Sequence, residues 1–457
     1  MRSALPIRGF GRKRGLSQDP IPQNEKGDGM PSPHDTLWGH PKGLYILFFT
    51  EMWERFSYFG MRALLIFYMT KQLMFSHGDA SRIYGLYTGL VYFTPFFGGL
   101  LADRVLGQGR TLIIGAVLMA AGHFVMAFES LFYPALALLI VGSGAFKPNI
   151  CTQVGSLYEP GDPRRDRAFS IFYVGVNLGA FLSPFVCGTL GEVYGWHYGF
   201  GAAGVGMVAG LFIYLWGRRW LAPDNLQRRV VPNQKSDPEV SVRDGGNARR
   251  VLGLVVVCLV VTLFWAAYEQ QGNTLALWAD ADTDRHLFGW EVPATWFQSL
   301  NPLCIFLFTP LITTFWAWQA RRGRELSTAA KMSVGCFLLG LSFLVLVPAA
   351  YAFDGDGVPV SMLWLVGFSV ILTVGELYLS PVGLSLVTKM APAGMISMMM
   401  GIWCLGQFAG NYLAGYLGYF WDLLPKDHFF LLVAAVAGAA GFTILVLLKP
   451  LRRVMDQ

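Results

Sequence analysis

TEMWERFSYFGMRALLIFY, residues 50–68, is apolar enough to enter a membrane, yet it carries Glu51, Glu54, Arg55 and Arg62. At about 100° per residue, a helix puts Glu51, Glu54, Arg55, Tyr58 and Arg62 on one face. Phe48, Phe49, Trp53, Leu64 and Phe67 fill much of the remainder. Each charge at a bilayer centre costs roughly 2.5–3.5 kcal/mol, so four cost on the order of 10 kcal/mol on an isolated helix. Such a helix must turn its charged face into a protein interior or a watery cavity. Glu51 and Arg55 stand four apart and can pair, which offsets part of the cost. Intramembrane ionisable residues mark substrate and ion paths; a structural ion-pair ladder near a helix end is the other reading.

The rest of the chain has the same character. Of its 457 residues, 54% are hydrophobic and 14% charged, against about 25% charged in a soluble domain. This is the composition of an all-α polytopic membrane protein. The formal charge of +6 is no nucleic-acid signal, because the basic residues crowd into loops and tails. Cys151, Cys187, Cys258, Cys304, Cys336 and Cys404 lie singly in apolar runs, as small buried hydrophobes do. Of the histidines only His123 lies well inside an apolar run, so no metal site is expected. Residues 1–40 are polar and contain no apolar core of a signal peptide. They read as a disordered cytoplasmic tail.

Twelve apolar spans of helix length follow, at about 43–73, 82–103, 111–130, 133–157, 168–190, 197–217, 251–279, 293–317, 328–351, 359–389, 394–421 and 428–449. The one long polar connection, 218–250, divides them six and six. The expected organisation is a tail (1–40), a six-helix bundle (41–217), a cytoplasmic linker (218–250), a second six-helix bundle (251–449) and a short tail (450–457). The linker is too short and polar to hold extra helices. Basic residues mark the cytoplasmic side. They sit in the N-terminal tail (Arg12, Lys13, Arg14, Lys42), in the even-numbered connections, in the linker and at the C-terminus (Lys449, Arg452, Arg453). Both termini are therefore expected in the cytoplasm, on a multi-pass protein of the cytoplasmic membrane.

Three more ionisable residues sit deep in apolar segments: Lys147 in span 4, Glu269 in span 7 and Glu376 in span 10. Each has a helix breaker nearby, Pro148, Gly272 and Pro381, and a broken helix leaves backbone carbonyls free to face a cavity. If the halves are parallel repeats, span 1 matches span 7 and span 4 matches span 10. Arg62 then stands opposite Glu269, and Lys147 opposite Glu376. A cavity between the bundles would be basic on one wall and acidic on the other, which suits a zwitterion. Pairing across the cavity would close it when empty. The alternative is that each charge is satisfied within its own bundle.

Tyr58, Phe59, Tyr87, Asn177, Trp296, Asn301, Trp403 and Gln407 lie in the same spans. Aromatic rings can sort apolar substrate side chains, and amides can bind a peptide backbone; each taken alone also fits plain packing. GGLLADRVLGQGR, residues 98–110, adds glycines for close helix contact. Its Asp103, Arg104 and Arg110 make a charged cytoplasmic turn able to latch one conformational state.

Together these residues resemble the proton-coupled oligopeptide transporter family of the major facilitator superfamily. Glu51, Glu54, Arg55, Phe56, Tyr58 and Gly60 match its E-x-x-E-R-F-x-Y-Y-G signature, except that Phe59 replaces the second tyrosine. Phe146-Lys147-Pro148-Asn149, Phe169 to Tyr173, Asn177 to Ala180, Phe297 to Pro302, Gly375-Glu376 and Ser380 to Ser385 are similar to further family stretches. The turn 98–110 resembles the superfamily's loop motif. The resemblance spans residues 40 to 449.

It implies a major facilitator fold of two six-helix bundles that imports di- and tripeptides with protons by alternating access. It implies that Arg62 and Lys147 hold the peptide carboxylate, and that Glu376 receives the amino terminus. Tyr58, Tyr87, Asn177, Asn301 and Trp403 line the peptide site. Glu269 is the favoured protonation site, and Glu51, Glu54, Arg55 and Lys147 take part in coupling. Some members carry a coupling histidine in span 2; residues 83–103 hold none. No cofactor beyond the coupling proton is expected, and the protein should act as a monomer in the bilayer. Two other readings remain: a facilitator for another small anion or zwitterion (nitrate, an amino acid, a drug), or a peptide receptor that moves nothing. No nucleophile–base pair or metal constellation of a membrane enzyme is present in the sequence.

Overall fold

The computed structural model describes residues 36–159, 161–223, 245–390 and 396–455. Most of the expected N-terminal tail and of the linker lies outside these residues. From Lys42 onward the chain is a succession of helices. α1 (Lys42–Phe67) ends in a widened turn, Tyr68–Gln72. α2 (His77–Phe93) starts at Ser76, whose hydroxyl accepts the Asp79 N–H and so caps the helix. It continues through Pro95–Leu101 and Ala102–Leu106. α3 (Gln108–Val125), α4 (Phe132–Ser156), α5 (Arg164–Ser183) and α6 (Trp196–Gly217) follow.

In the second half, α7 (Gly245–Tyr268) gives way to a 3-10 turn, Glu269–Gly272, and helix resumes over Thr274–Ala281. A further 3-10 turn, Ala294–Ser299, leads into α8 (Leu300–Arg321). α9 (Thr328–Asp356), α10 (Leu363–Met390), α11 (Ile396–Gly418) and α12 (Lys426–Met455) complete it. Among the described residues, ten helical stretches are long and apolar enough to cross a membrane. α1, with its buried charges, and α11 are not among them.

Packing is local along each half. α3 lies on α4, α1 on α5 and α6, and α9 on α10 and α12. The halves meet where α2 packs on α11 and α5 on α8. The glycines of 98–110 act as their size suggests: a Cβ on Gly98 would lie 2.6 Å from the carbonyl carbon of Gly144 in α4. Pro148, four residues on, has no N–H to give that carbonyl. In the second half, Trp278 is wholly buried, its ring 5.3 Å from Phe430 and 5.4 Å from Phe353.

Three boundaries differ from the sequence reading. Residues 36–41 are not featureless tail: Thr36–Leu37 pairs antiparallel with His40–Pro41 around a turn in which Trp38 and Gly39 take positive φ. Helix begins at Gly245, so 245–250 belong to α7 and not to the linker. Span 7 is not one rod. Asn273 leaves helical geometry (φ −113, ψ −100) after Gly272, and Gln270 reaches the Ala414 carbonyl of α11 at 2.9 Å.

Candidate substrate and proton site

The charged face of α1 is buried. Arg55 bridges Glu51 at 3.0 Å and forks onto both oxygens of Glu54, one of them at 2.7 Å. The three side chains are 5% exposed or less and form one compact group in which a single guanidinium serves two carboxylates. The guanidinium also lies 5.3 Å from the Tyr58 ring. Among the described residues, Glu51 Oε2 and Tyr58 Oη have no hydrogen-bond partner. Lys147 of α4 stands with this group: the charges of Arg55, Glu54 and Glu51 act on it, and its ammonium sits 4.3 Å from the Tyr92 ring centroid.

Two turns further along α1, Arg62 donates to Glu269 at the break in α7. Its Nε donates to the Tyr84 hydroxyl at 2.6 Å. Gly272 makes room, since a Cβ there would meet Arg62 Nη2 at 3.2 Å. Further contacts between the halves gather at the same end. Lys71 pairs with Asp280 at 2.6 Å, Ser81 donates to Asn273 at 2.9 Å, and His77 meets Asp422 at 2.8 Å. Nearby Asp282 is a buried carboxyl outside the spans; desolvation pushes it up to about 6, although Lys426 acts the other way.

The acidic pole lies on α10. Glu376 accepts from Asn301 Nδ2 at 2.8 Å, and the same amide donates to Thr373 at 3.1 Å. Tyr268 donates to Asn301 Oδ1 at 3.4 Å and also bonds Glu376. Tyr173 of α5 is close enough to feel the Glu376 charge. Asn177, on the same helix, spends its amide on the Tyr173 carbonyl at 3.0 Å. Trp403 is buried, its ring against Gly383.

The structure therefore joins Arg62 to Glu269, as matched helices suggest. It does not join Lys147 to Glu376. Lys147 lies in the field of Arg55, Glu54 and Glu51 of α1, while Glu376 is held by neutral amide and hydroxyl donors. Tyr87 is buried on α2 near Tyr58 and Arg62. Asp103, Arg104 and Arg110 are exposed at the far end of α2 and the start of α3. Sequence reasoning gave no site role to Tyr84, Tyr92, Tyr173 or Tyr268. Tyr84 and Tyr92 carry a readable signal, since with Tyr87 they fall near one face of α2.

Membrane-length helices around buried, oppositely charged walls, with the halves fastened at one end, define a multi-pass membrane transporter. The POT family profile, PTR2, matches residues 109–236 and 225–428. The chain is 33% identical to the peptide transporter YePEPT of Yersinia enterocolitica, over 92% of this chain and 96% of that one. It is 31% identical to a di-/tripeptide transporter of Lactococcus lactis subsp. cremoris, over 92% and 97%. The crystal structure of a mutant of the peptide transporter POT in complex with alafosfalin superposes with a TM-score of 0.82 at 32% identity, covering 93% of this chain and 98% of that chain. The chain belongs to the POT family, and its fold is that family's helical, major-facilitator-like fold.

Proposed function

We propose that this protein imports di- and tripeptides together with protons by alternating access, through twelve membrane helices in two six-helix bundles with both termini cytoplasmic. The observation that carries the reading is the buried Arg62–Glu269 ion pair, which fastens α1 to α7 while an acid pole waits at Glu376. The named relatives transport peptides, and a peptide has the two opposite ends these walls would receive.

In this reading the fastened end is the outer one. Ionised Glu269 keeps Arg62 engaged and the outer end shut. A proton on Glu269 releases Arg62 to the peptide carboxylate, with Lys147 as the second cation on that wall. Glu376, set by Asn301 and Tyr268, takes the ammonium. Glu51, Glu54 and Arg55 pass charge changes to Lys147, and Tyr58, Tyr87, Asn177 and Trp403 shape the peptide pocket. Asp103, Arg104 and Arg110 latch the cytoplasmic end in the opposite state. Both cargoes act by their differential affinity for two states. The protein works as a monomer and uses no cofactor beyond the coupling proton. Uptake of a labelled dipeptide into proteoliposomes, with and without an inward-acid gradient, tests this. Acid-driven accumulation supports it; uptake indifferent to the gradient indicates a facilitator, and binding without uptake a receptor.

A further inference from the structure

Beyond the ion pairs of α1 and the contacts of α2, a third seam fastens the same end of the molecule. α5 is prolonged by widened turns at Pro184–Gly188 and Leu190–Tyr194, and ends at Gly195 with φ 127. Glu192, in the last of these turns, reaches across to the start of the 3-10 turn ahead of α8. Its Oε2 accepts the Ala294 N–H at 2.9 Å, and its Oε1 accepts the Thr295 N–H at 2.9 Å and the Thr295 hydroxyl at 2.5 Å.

The neighbours on the same face of the α5 extension are shaped to this contact. Thr189 Oγ1 accepts the Trp296 indole N–H at 2.9 Å, and the Trp296 ring meets Phe185 at 4.7 Å. Ser299 donates to the Phe181 carbonyl at 2.9 Å. Gly188 keeps the approach open, because a Cβ there would fall 2.7 Å from Thr295 Cβ. Glu192 is half-buried, and among the described residues it makes no ion pair. Its carboxylate is satisfied by neutral donors alone, and such charge-assisted bonds are the stronger kind.

We propose that Glu192 is a positioning residue of the transport cycle: its carboxylate clasps residues 294–295 while the outer end is closed, and must let go each time that end opens. The inference rests on the alternating-access reading above and adds a step to it. Neutralising Glu269 releases Arg62 but leaves α5 fastened ahead of α8. The clasp therefore holds the outer end closed independently of the Arg62–Glu269 pair and sets how often it opens.

Glu192→Gln tests this, because an amide keeps the shape yet turns a donor toward one of the two N–H groups. Thr295→Val removes one donor from the other side and leaves both N–H groups. Spin labels at Tyr198→Cys and Leu423→Cys, both exposed at this end, report the opening. Cys151 and Cys404 are replaced by Ser, and the other four cysteines are buried. E192Q should shift the distance distribution toward longer values and lower gradient-driven accumulation several-fold while peptide exchange persists. T295V should do the same to a smaller degree, and the double variant should go no further than E192Q, as for coupled partners. An unchanged distribution in both variants overturns the proposal, whether or not uptake falls. Should the unaltered protein show no acid-driven uptake, the transport reading fails by that result, while the distances still decide the clasp.

Discussion

Arg62 and Glu269, 207 positions apart in the chain, meet as a buried ion pair at the break in α7. Removing one partner of a buried pair leaves an uncompensated charge, at a cost of about 3–5 kcal/mol. Keeping the shape while removing the charge is the cleaner probe. Glu269→Gln should abolish gradient-driven peptide accumulation, by at least about tenfold, or 1.4 kcal/mol, while exchange of peptide for peptide persists. Full proton-driven accumulation in this variant would take Glu269 out of the coupling role.

Glu376 is held by Asn301 and Tyr268 and has no cation beside it among the described residues. An incoming ammonium would supply one. Glu376→Ala should weaken peptides with a free amino terminus by roughly 2–5 kcal/mol and spare their N-acetylated counterparts. Binding calorimetry on matched peptide pairs decides it; equal losses would make Glu376 structural.

Arg62 and Lys147 both face the first-half wall but in different company. Arg62 holds a carboxylate and a tyrosine hydroxyl, a fork that an ammonium cannot reproduce. Lys147 sits among Arg55, Glu54 and Glu51. Arg62→Lys should lose binding as well as transport. Lys147→Ala should lose proton-driven uptake and retain some binding. Thermal shift with peptide, beside uptake at several pH values, separates them, and the reverse pattern would exchange their roles.

Asp282 gives a stability prediction apart from transport. Burial raises its carboxyl from 3.8 to about 6, with Lys426 opposing. Between those values the folded protein holds a proton that the unfolded chain has released. This contribution to stability is full below the lower value and lost as pH rises through the upper one. The melting temperature should therefore gain from this group as pH falls from about 7 to about 4. Asp282→Asn should flatten that portion of the profile; an unaltered profile would show that the carboxyl is not desolvated.

The group on α1 was legible because Glu51, Glu54 and Arg55 are neighbours by helical spacing alone. The partner of Arg62 was legible only by laying one half of the chain over the other. That device failed for Lys147, because the carboxylates that act on it come from α1, which no comparison of matching spans would bring to it. The Glu192 contact was out of reach: a lone glutamate after an apolar run meets two backbone N–H groups 102 and 103 positions away. The helical start at Gly245 was hidden as well, since its first turn reads GGN, a poor helix former.

The interruption at Glu269–Gly272 divides this span into two parts with different attachments. Gly245–Tyr268 is tied into the second half through its packing on α11 and α12. Thr274–Ala281 lies beyond Asn273, anchored by the wholly buried Trp278 and carrying Asp280, the partner of Lys71. Glu269 sits at the junction. In the proposed cycle a proton arriving there acts at the junction of a segment held by its own half and one that also grips the first half through Asp280.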